Sequence, residues 1–233
     1  MQIETSTALV TGASRGLGRS FAAELARRGA KVYAAARNPD AVDVPGVIPV
    51  RLDITDPASV AEAAAATGDV TLLINNAGSS TGAGLLDGEL ADIRLELDTH
   101  FFGTLAVTRA FAPQLATAAG GGAVLNVLSV LSWVSLPGSG AYSAAKAAQW
   151  ALTNGLRLQL AAEGIKVTAL HVGYMDTDMA RHVTSPKLDP AVVAGLALDA
   201  VADGQAEVLA DDISRQVQQG LAGGVAALYP QLT

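Results

Sequence analysis

The feature that most constrains the fold of this chain is a series of seven short apolar runs, most of them separated by segments long enough to form helices. Their hydrophobicity is continuous rather than alternating, which is typical of parallel strands covered by helices on both faces. The runs are TALVT 7–11, KVYAAA 31–36, VIPVRL 47–52, VTLLIN 70–75, AVLNVL 123–128, KVTALHV 166–172 and AEVLA 206–210. This alternation predicts an α/β fold built on a doubly wound parallel sheet of about seven strands.

Helix boundaries are marked by residues that cap or stop helices. Asp56-Pro57 and Asp189-Pro190 each place a capping acid before a proline in the first helical turn. Glycines stand where three helices should end, at positions 29, 164 and 204. No linker or repeat interrupts the pattern, so residues 1–233 are predicted to form one Rossmann-like domain, with a short substrate loop at about 175–190.

Charge and cysteine content exclude several classes of function. The net charge is −7 and the 15 basic residues are scattered, so the chain has no basic patch for nucleic acid or an anionic membrane. The absence of cysteine excludes disulfides and zinc-thiolate sites. Glu4 lies where a signal peptide would need a basic and then an apolar run. We therefore expect a cytoplasmic protein with neither nucleic acid nor membrane as a partner.

A glycine-rich turn, TGASRGLG at 11–18, follows the first predicted strand and precedes the first predicted helix. Glycines at 12, 16 and 18 permit a tight turn, close approach of backbone N–H groups to a diphosphate, and close packing of the helix. The phosphates would then lie at the positive end of the helix dipole. This context indicates a dinucleotide site.

Tyr142 and Lys146 are four residues apart in a predicted helix, which places them one turn apart on one face. A phenol with a pKa near 10 is a poor base at neutral pH, and a neighbouring ammonium would favour phenolate and lower that pKa. The pair could therefore serve acid–base chemistry. By chance alone, a Tyr-x-x-x-Lys is expected in about one such chain in fifteen, so the interpretation depends on the surrounding motifs.

The motifs together resemble those of the short-chain dehydrogenases/reductases. Their order along the chain is the TGxxxGxG turn, Asp53 after the third strand, NNAG at 75–78 after the fourth, Ser129 after the fifth, and Tyr142-x-x-x-Lys146 thirteen residues beyond that serine. The resemblance covers about residues 5–179. Val172 is a departure, because the family usually has proline there.

The resemblance implies roles for four residues of a catalytic site. Tyr142 would donate or accept the proton, Lys146 would hold the nicotinamide ribose and lower the tyrosine pKa, and Ser129 would orient the substrate carbonyl. Serines at 132 and 135 are alternatives to Ser129, but the thirteen-residue offset favours 129. His100 stands where the family usually has an asparagine that helps hold a water between the lysine and solvent. We expect His100 to hold or replace that water; the alternative is a packed histidine.

Cofactor choice depends on the end of the second strand, where Ala36 is followed by Arg37. An arginine there can pair with a 2′-phosphate, and Arg15 adds a second cation, so NADP(H) is favoured over NAD(H). The alternative is that both arginines are solvated surface charges. The cofactor-binding residues that the resemblance implies are Gly12, Ser14, Arg15, Gly16, Leu17, Gly18, Arg37, Asp53, Ile54, Asn75, Ala77, Gly78, Tyr142, Lys146, Gly173 and Thr177. Asp53 and NNAG could instead only shape turns.

The predicted activity is reversible hydride transfer, favouring NADPH-dependent reduction of a ketone or aldehyde. The uncharged segment VLSWVSLPG favours a small apolar or aromatic carbonyl/alcohol substrate, with Ser129, Trp133 and Met179 in its pocket, although the Trp and Met could equally be core. The histidines lack metal-binding spacing, so no metal is expected. A non-catalytic NADP(H)-binding sensor or scaffold is the alternative. Small and apolar residues cover more of the helix at about 139–163 than one core face needs, which indicates a partner. The resemblance implies a homodimer or homotetramer formed through this helix and the one at about 88–118.

Overall fold

The computed structural model describes residues 1–232, and its strands form one parallel sheet of seven. The order across the sheet is β3-β2-β1-β4-β5-β6-β7, and every neighbouring pair is parallel. The strands are β1 (Thr7–Thr11), β2 (Lys31–Ala36), β3 (Ile48–Arg51), β4 (Leu72–Asn75), β5 (Ala123–Val127), β6 (Lys166–His171) and β7 (Glu207–Leu209). Each lies within one of the seven predicted runs, so the predicted fold class is confirmed.

Helices cover both faces of this sheet. They are α1 (Gly16–Arg27), α2 (Pro57–Ala66), α3 (Leu90–Leu97), α4 (Thr104–Ala116), α5 (Gly140–Leu160), α6 (Pro190–Asp203), α7 (Asp212–Gly220) and α8 (Gly224–Leu228). Successive strand residues point to opposite faces. In β1, Val10 therefore packs with the buried residues of α1 and α6, and Leu9 packs with those of α2, α4 and α5. This double coverage explains why the strands are continuously apolar.

The capping acids and the glycines lie at the helix starts and helix ends that the sequence predicts. The Asp56 carboxylate accepts from the Ala58 N–H at 3.0 Å, and the Asp189 carboxylate accepts from the Ala191 N–H at 2.8 Å. Gly204 ends α6 with φ at 70°, and Gly164 follows α5 and a short 3-10 turn with φ at 72°. This left-handed region favours glycine because a Cβ would be strained there.

Strand order reverses between β1 and β4, and this is where ligands bind in doubly wound folds. The Thr11 hydroxyl, at the end of β1, accepts from the backbone N–H groups of Asn76 and Ala77 at 2.9 and 3.0 Å. The glycine turn after β1 and the NNAG segment after β4 are therefore tied together. Across residues 1–232, no helix combines the length and apolar character needed to cross a membrane.

Candidate active site

The glycine turn forms a cradle that leaves no room for side chains. A Cβ on Gly18 would lie 2.2 Å from the Gly12 carbonyl oxygen, and a Cβ on Gly12 would lie 2.9 Å from the Ala77 Cα. No side chain caps the first turn of α1, so its N-terminal N–H groups are left for an anion. Gly12 and Gly16 have φ of 68° and 54°. This geometry fits a dinucleotide diphosphate.

Two arginines border this cradle. Arg37 directly follows β2, is exposed, and forms no salt bridge within residues 1–232. Arg15 is also exposed, with one guanidinium nitrogen 4.0 Å from the Asp178 carboxylate. Ser14 lies beside Arg15 and is half-buried, whereas Leu17 is buried in the core. The charge of Arg37 also acts on Asp53, whose pKa it helps to lower, but its exposed guanidinium makes no salt bridge in the described chain and suits an adenosine 2′-phosphate.

Asp53 and Ile54 follow β3, at the same carboxyl edge of the parallel sheet as the glycine turn. The Asp53 carboxylate accepts from both the N–H and the hydroxyl of Thr55, at 3.0 and 2.7 Å, and these bonds lower its pKa. Asp53 therefore shapes the turn into α2, and its contact with the cofactor stays a prediction. The side chain of Ile54 packs close to Gly103.

The Asn75 side chain points into the core, and its predicted role in cofactor binding stays a prediction. Its amide N–H₂ donates to the Thr108 hydroxyl at 3.0 Å and to the Asn126 amide oxygen at 2.8 Å, and the residue is buried. Because both amide hydrogens are used inside the core, this side chain anchors the start of the NNAG segment to the core. Ala77 and Gly78 come next and lie beside the glycine turn and His100, respectively.

Ser129, Tyr142 and Lys146 come together above the end of β5. Ser129 caps a short 3-10 turn, Val130–Ser132: its hydroxyl accepts from the Leu131 N–H at 3.1 Å, and the Ser132 hydroxyl accepts from the Ser129 N–H at 3.2 Å. The Ser129 hydroxyl interacts with the Tyr142 phenol, and the Lys146 Nζ lies 5.7 Å from the Tyr142 ring centroid. Ser129 therefore contacts the Tyr142 phenol, whereas the Ser132 hydroxyl bonds to the Ser129 backbone.

The electrostatics of Tyr142 differ from the expectation. Burial raises its pKa above the usual value, the Ser129 interaction opposes that rise, and the charge of Glu96 adds to it. Lys146 is itself buried, and burial lowers its pKa to about 7. Desolvation disfavours the charged form of each group. A phenol that stays protonated at neutral pH is suited to donating a proton.

His100 is buried and bonded to Glu96. Its Nε2 lies 3.0 Å from the Ser79 carbonyl oxygen and 3.3 Å from the Glu96 carboxylate. The Ser79 N–H also points at Nε2, from 3.4 Å, but the carbonyl and the carboxylate are both acceptors and both lie closer, so we assign the hydrogen to Nε2 and leave Nδ1 as an acceptor. Burial lowers the pKa of His100, and the charge of Lys146 lowers it further, so the ring is neutral at neutral pH. Nδ1 has no hydrogen-bond partner in the described chain.

Glu96 is a buried carboxylate that the sequence interpretation missed. It accepts from the Ser79 hydroxyl at 2.7 Å and from the Thr81 N–H, besides contacting His100. Burial raises its pKa, but these hydrogen bonds outweigh that effect and hold it at about 2. The available signal was the spacing, because an acid four residues before His100 shares its helix face. A π-turn, Asp98–Gly103, contains His100 and joins α3 to α4.

The predicted substrate residues occupy two different settings. Trp133 stacks on the buried His171 with ring centroids 3.8 Å apart, so most of its ring is already packed. Met179 is exposed in a 3-10 turn, Asp178–Ala180, within the predicted substrate loop. The base of that loop is closed by backbone hydrogen bonds of 2.9 Å between Leu188 and Tyr174, and between Asp176 and Leu188.

The two remaining predicted cofactor residues lie on either side of this loop's start. A Cβ on Gly16 would lie 3.3 Å from the Thr177 methyl carbon, which places Thr177 against the glycine turn. The Gly173 N–H donates to the Asp211 carboxylate at 2.7 Å. Residues 1–232 hold no cluster of three or more metal-ligating side chains.

Comparison with known proteins defines the class to which this fold and site belong. A family model described as short chain dehydrogenase matches residues 6–188. The chain therefore belongs to the short-chain dehydrogenase/reductase family, a family of oxidoreductases.

Individual relatives agree with that assignment. A short-chain dehydrogenase from Burkholderia cenocepacia J2315, solved in complex with NADP, has a TM-score of 0.94 and 42% identity, covering 100% of this chain and 99% of that one. The NADPH-dependent 1-acyldihydroxyacetone phosphate reductase of Schizosaccharomyces pombe is 35% identical over 178 residues, 72% of this chain and 60% of that protein. Carbonyl reductase (NADPH) 2 of Sus scrofa is 33% identical over 183 residues, 76% of this chain and 75% of that protein. This chain thus spans less than two-thirds of the fission yeast relative.

Proposed function

We propose that the protein is an NADPH-dependent reductase of ketones or aldehydes in which Tyr142 donates the proton. The observation that carries the proposal is the meeting of Ser129, Tyr142 and Lys146 at the sheet edge where the glycine cradle opens. Bound NADPH would supply the hydride for the carbonyl carbon. The protein's own groups then need only to hold the carbonyl and to deliver the proton.

Each of the three side chains has a distinct task in this proposal. The Ser129 hydroxyl orients the carbonyl oxygen toward the phenol, since it already interacts with Tyr142. Burial raises the pKa of Tyr142, so the phenol is protonated at neutral pH and has a proton to donate in the direction of reduction. The Lys146 ammonium binds the nicotinamide ribose and stabilises the phenolate that proton donation leaves behind.

The choice of NADP(H) is supported by the chain and by its relatives. The Arg37 guanidinium is free to pair with a 2′-phosphate, and Arg15 adds a second cation at the turn. The Burkholderia structure holds NADP, and the names of the fission yeast and pig relatives specify NADPH.

His100 is proposed to return the proton to Tyr142 from solvent. Its ring is neutral, its tautomer is set by Glu96 and Ser79, and its unpartnered Nδ1 can accept a hydrogen bond from a water. Packing alone does not explain a buried acceptor without a donor. The chain from solvent to phenol would therefore pass through this imidazole or the water it holds.

The substrate is proposed to be a small apolar or aromatic carbonyl compound, and the active species a homodimer or homotetramer. This proposal is supported by the uncharged segment that follows Ser129, which contains Trp133 and the exposed Leu136, and by the exposed Met179 in the predicted substrate loop. Exposed apolar side chains on α3, the π-turn and α5 would supply the subunit interface.

The experiment that tests the proposal is a coupled binding and turnover measurement. NADPH binding is measured by fluorescence titration, and NADPH consumption is measured against a chemically varied panel of ketones and aldehydes. Consumption with at least one carbonyl class, and binding of NADPH tighter than NADH, is expected. Tight NADPH binding without turnover across the panel would instead indicate the non-catalytic sensor.

A further inference from the structure

Lys146 is held by two acceptors that fix the position of its ammonium. Nζ donates to the Val127 carbonyl oxygen at 2.8 Å and to the Gln149 amide oxygen at 2.9 Å. Lys146 is only 4% exposed. An ammonium has three hydrogens, so one remains for another partner. Gln149 is thus the side chain in direct hydrogen-bond contact with the lysine.

The orientation of the Gln149 amide is determined by its surroundings. Its Nε2 donates to the Thr104 hydroxyl at 3.0 Å, and its backbone carbonyl accepts from the Thr153 hydroxyl at 2.7 Å. Gln149 is 1% exposed. Because lysine can only donate, the amide oxygen must be the atom that faces it. The glutamine is therefore held in place before any ligand binds.

Lys146 forms no salt bridge with a carboxylate within residues 1–232. Glu96, on α3, favours the charged lysine from a distance, while the charge of Lys146 lowers the pKa of both His100 and His171. Tyr142 is the remaining titratable neighbour. Burial alone would release the proton, since an unpaired buried ammonium is costly.

We propose that Gln149 is a positioning residue for Lys146, whose amide oxygen stabilises the ammonium form and directs its third N–H toward the catalytic tyrosine and the cofactor ribose. The second half of this statement rests on the proposed function. The first half concerns only the protein and can be tested in the absence of any substrate.

The direct test is an NMR titration of the lysine side chains labelled with ¹³C at Cε. The chain has four lysines, so the Lys146 resonance is assigned by its loss in Lys146→Arg, and the other three serve as internal references. Gln149→Leu should lower the pKa of Lys146 by about one pH unit or more, because a hydrogen bond to a charged group is lost. Gln149→Glu should raise it, because a carboxylate would face the ammonium.

Controls distinguish this effect from general damage to the core. Gln149→Met keeps the side-chain length and should behave like Gln149→Leu, and it replaces that variant if leucine prevents folding. Thr108→Val removes another hydroxyl from the buried network without touching Lys146 or Gln149, and should leave the pKa of Lys146 unchanged. An unchanged pKa of Lys146 in both Gln149→Met and Gln149→Glu would overturn the proposal.

Kinetics test the second half once a carbonyl substrate is found. Gln149→Leu should raise the KM for NADPH and move the alkaline limb of the kcat profile to lower pH, while Gln149→Glu should move that limb to higher pH. A purely structural role would lower the melting temperature without moving the limb. If no carbonyl is reduced at all, the proposed function is wrong, but the titration still decides the role of Gln149.

Discussion

The imidazole of His100 lies edge-on to the ring of Tyr142, with the ring centroids 5.2 Å apart. The histidine is buried, and Glu96 and Ser79 accept from its Nε2 side. Nδ1 is left as an acceptor without a donor in the described chain. This arrangement places the imidazole beside the residue that, in the proposed mechanism, must regain a proton after each turnover.

The first prediction concerns this nitrogen. His100→Asn should keep substantial activity, because an amide can still hold a water, whereas His100→Leu should lose activity and shift the pH profile of kcat. The measurement is a pH–rate profile for each variant at matched thermal stability. If the leucine variant kept both the rate and the profile of the native protein, His100 would be a packing residue.

The second prediction concerns the acid stability that Glu96 provides. Its folded pKa of about 2 lies below the unfolded value of 4.5, so it contributes stability above pH 4.5 that is lost as the pH falls toward 2. Glu96→Gln should therefore flatten the decline of the unfolding free energy across that window. At neutral pH the variant should be less stable by about 1–3 kcal/mol, as measured by urea unfolding.

Glu24→Gln provides the matched control for this measurement. The pKa of Glu24 is also about 2, lowered by its hydrogen bond to Arg27, but the residue lies near the end of α1, away from the candidate site. Its removal should flatten the same acid window while leaving turnover unchanged. Glu96→Gln should change both stability and the pH profile of kcat. Equal turnover in the two variants would contradict the link between Glu96 and His100.

The third prediction concerns cofactor preference. Arg37→Asp should weaken NADPH binding far more than NADH binding, because it replaces a cation with a charge that repels the 2′-phosphate. Fluorescence titration with both cofactors measures the two dissociation constants. Arg27→Asp, exposed at the far end of α1 from the glycine turn, is the control for a general change of charge. An equal loss for NADPH and NADH in Arg37→Asp would remove this arginine from the site.

The fold was predictable because its signals are local. All seven strands were readable from short apolar runs, since a strand covered on both faces must be apolar throughout, as Leu9 and Val10 show. The helix starts at Pro57 and Pro190 were readable because the capping acids act on residues two positions away. The positions of Ser129 and Tyr142 followed from the family motifs rather than from physics.

The details that escaped prediction depend on which side chains meet in three dimensions. Asn75 belongs to a motif, but its amide turns into the core because Thr108 and Asn126 come from two other elements. The raised pKa of Tyr142 reflects burial, which outweighs the opposing interaction with Ser129. Gln149 was overlooked because it looks like an ordinary helix residue until Thr104 and Lys146 are placed around it.

The fourth prediction concerns assembly. Leu158 on α5 is 80% exposed, and Phe102 in the π-turn and Leu95 on α3 are also exposed. We expect a homodimer or homotetramer that buries them, and Leu158→Glu should shift the particle toward the monomer, because burying an unpaired charge is costly. Light scattering at micromolar concentration gives the mass. Ile48→Glu, on β3, should leave the mass unchanged; a monomeric native protein would contradict the prediction.

The most direct test of the account is single-turnover reduction by Tyr142→Phe, using whichever carbonyl compound the native protein reduces. The phenylalanine ring keeps the packing against His100 but has no proton to donate. We predict that the purified variant binds NADPH as the native protein does and loses about 10²–10⁴ in rate, as removal of a general acid commonly does. A rate close to that of the native protein would place the proton donor elsewhere and contradict the account.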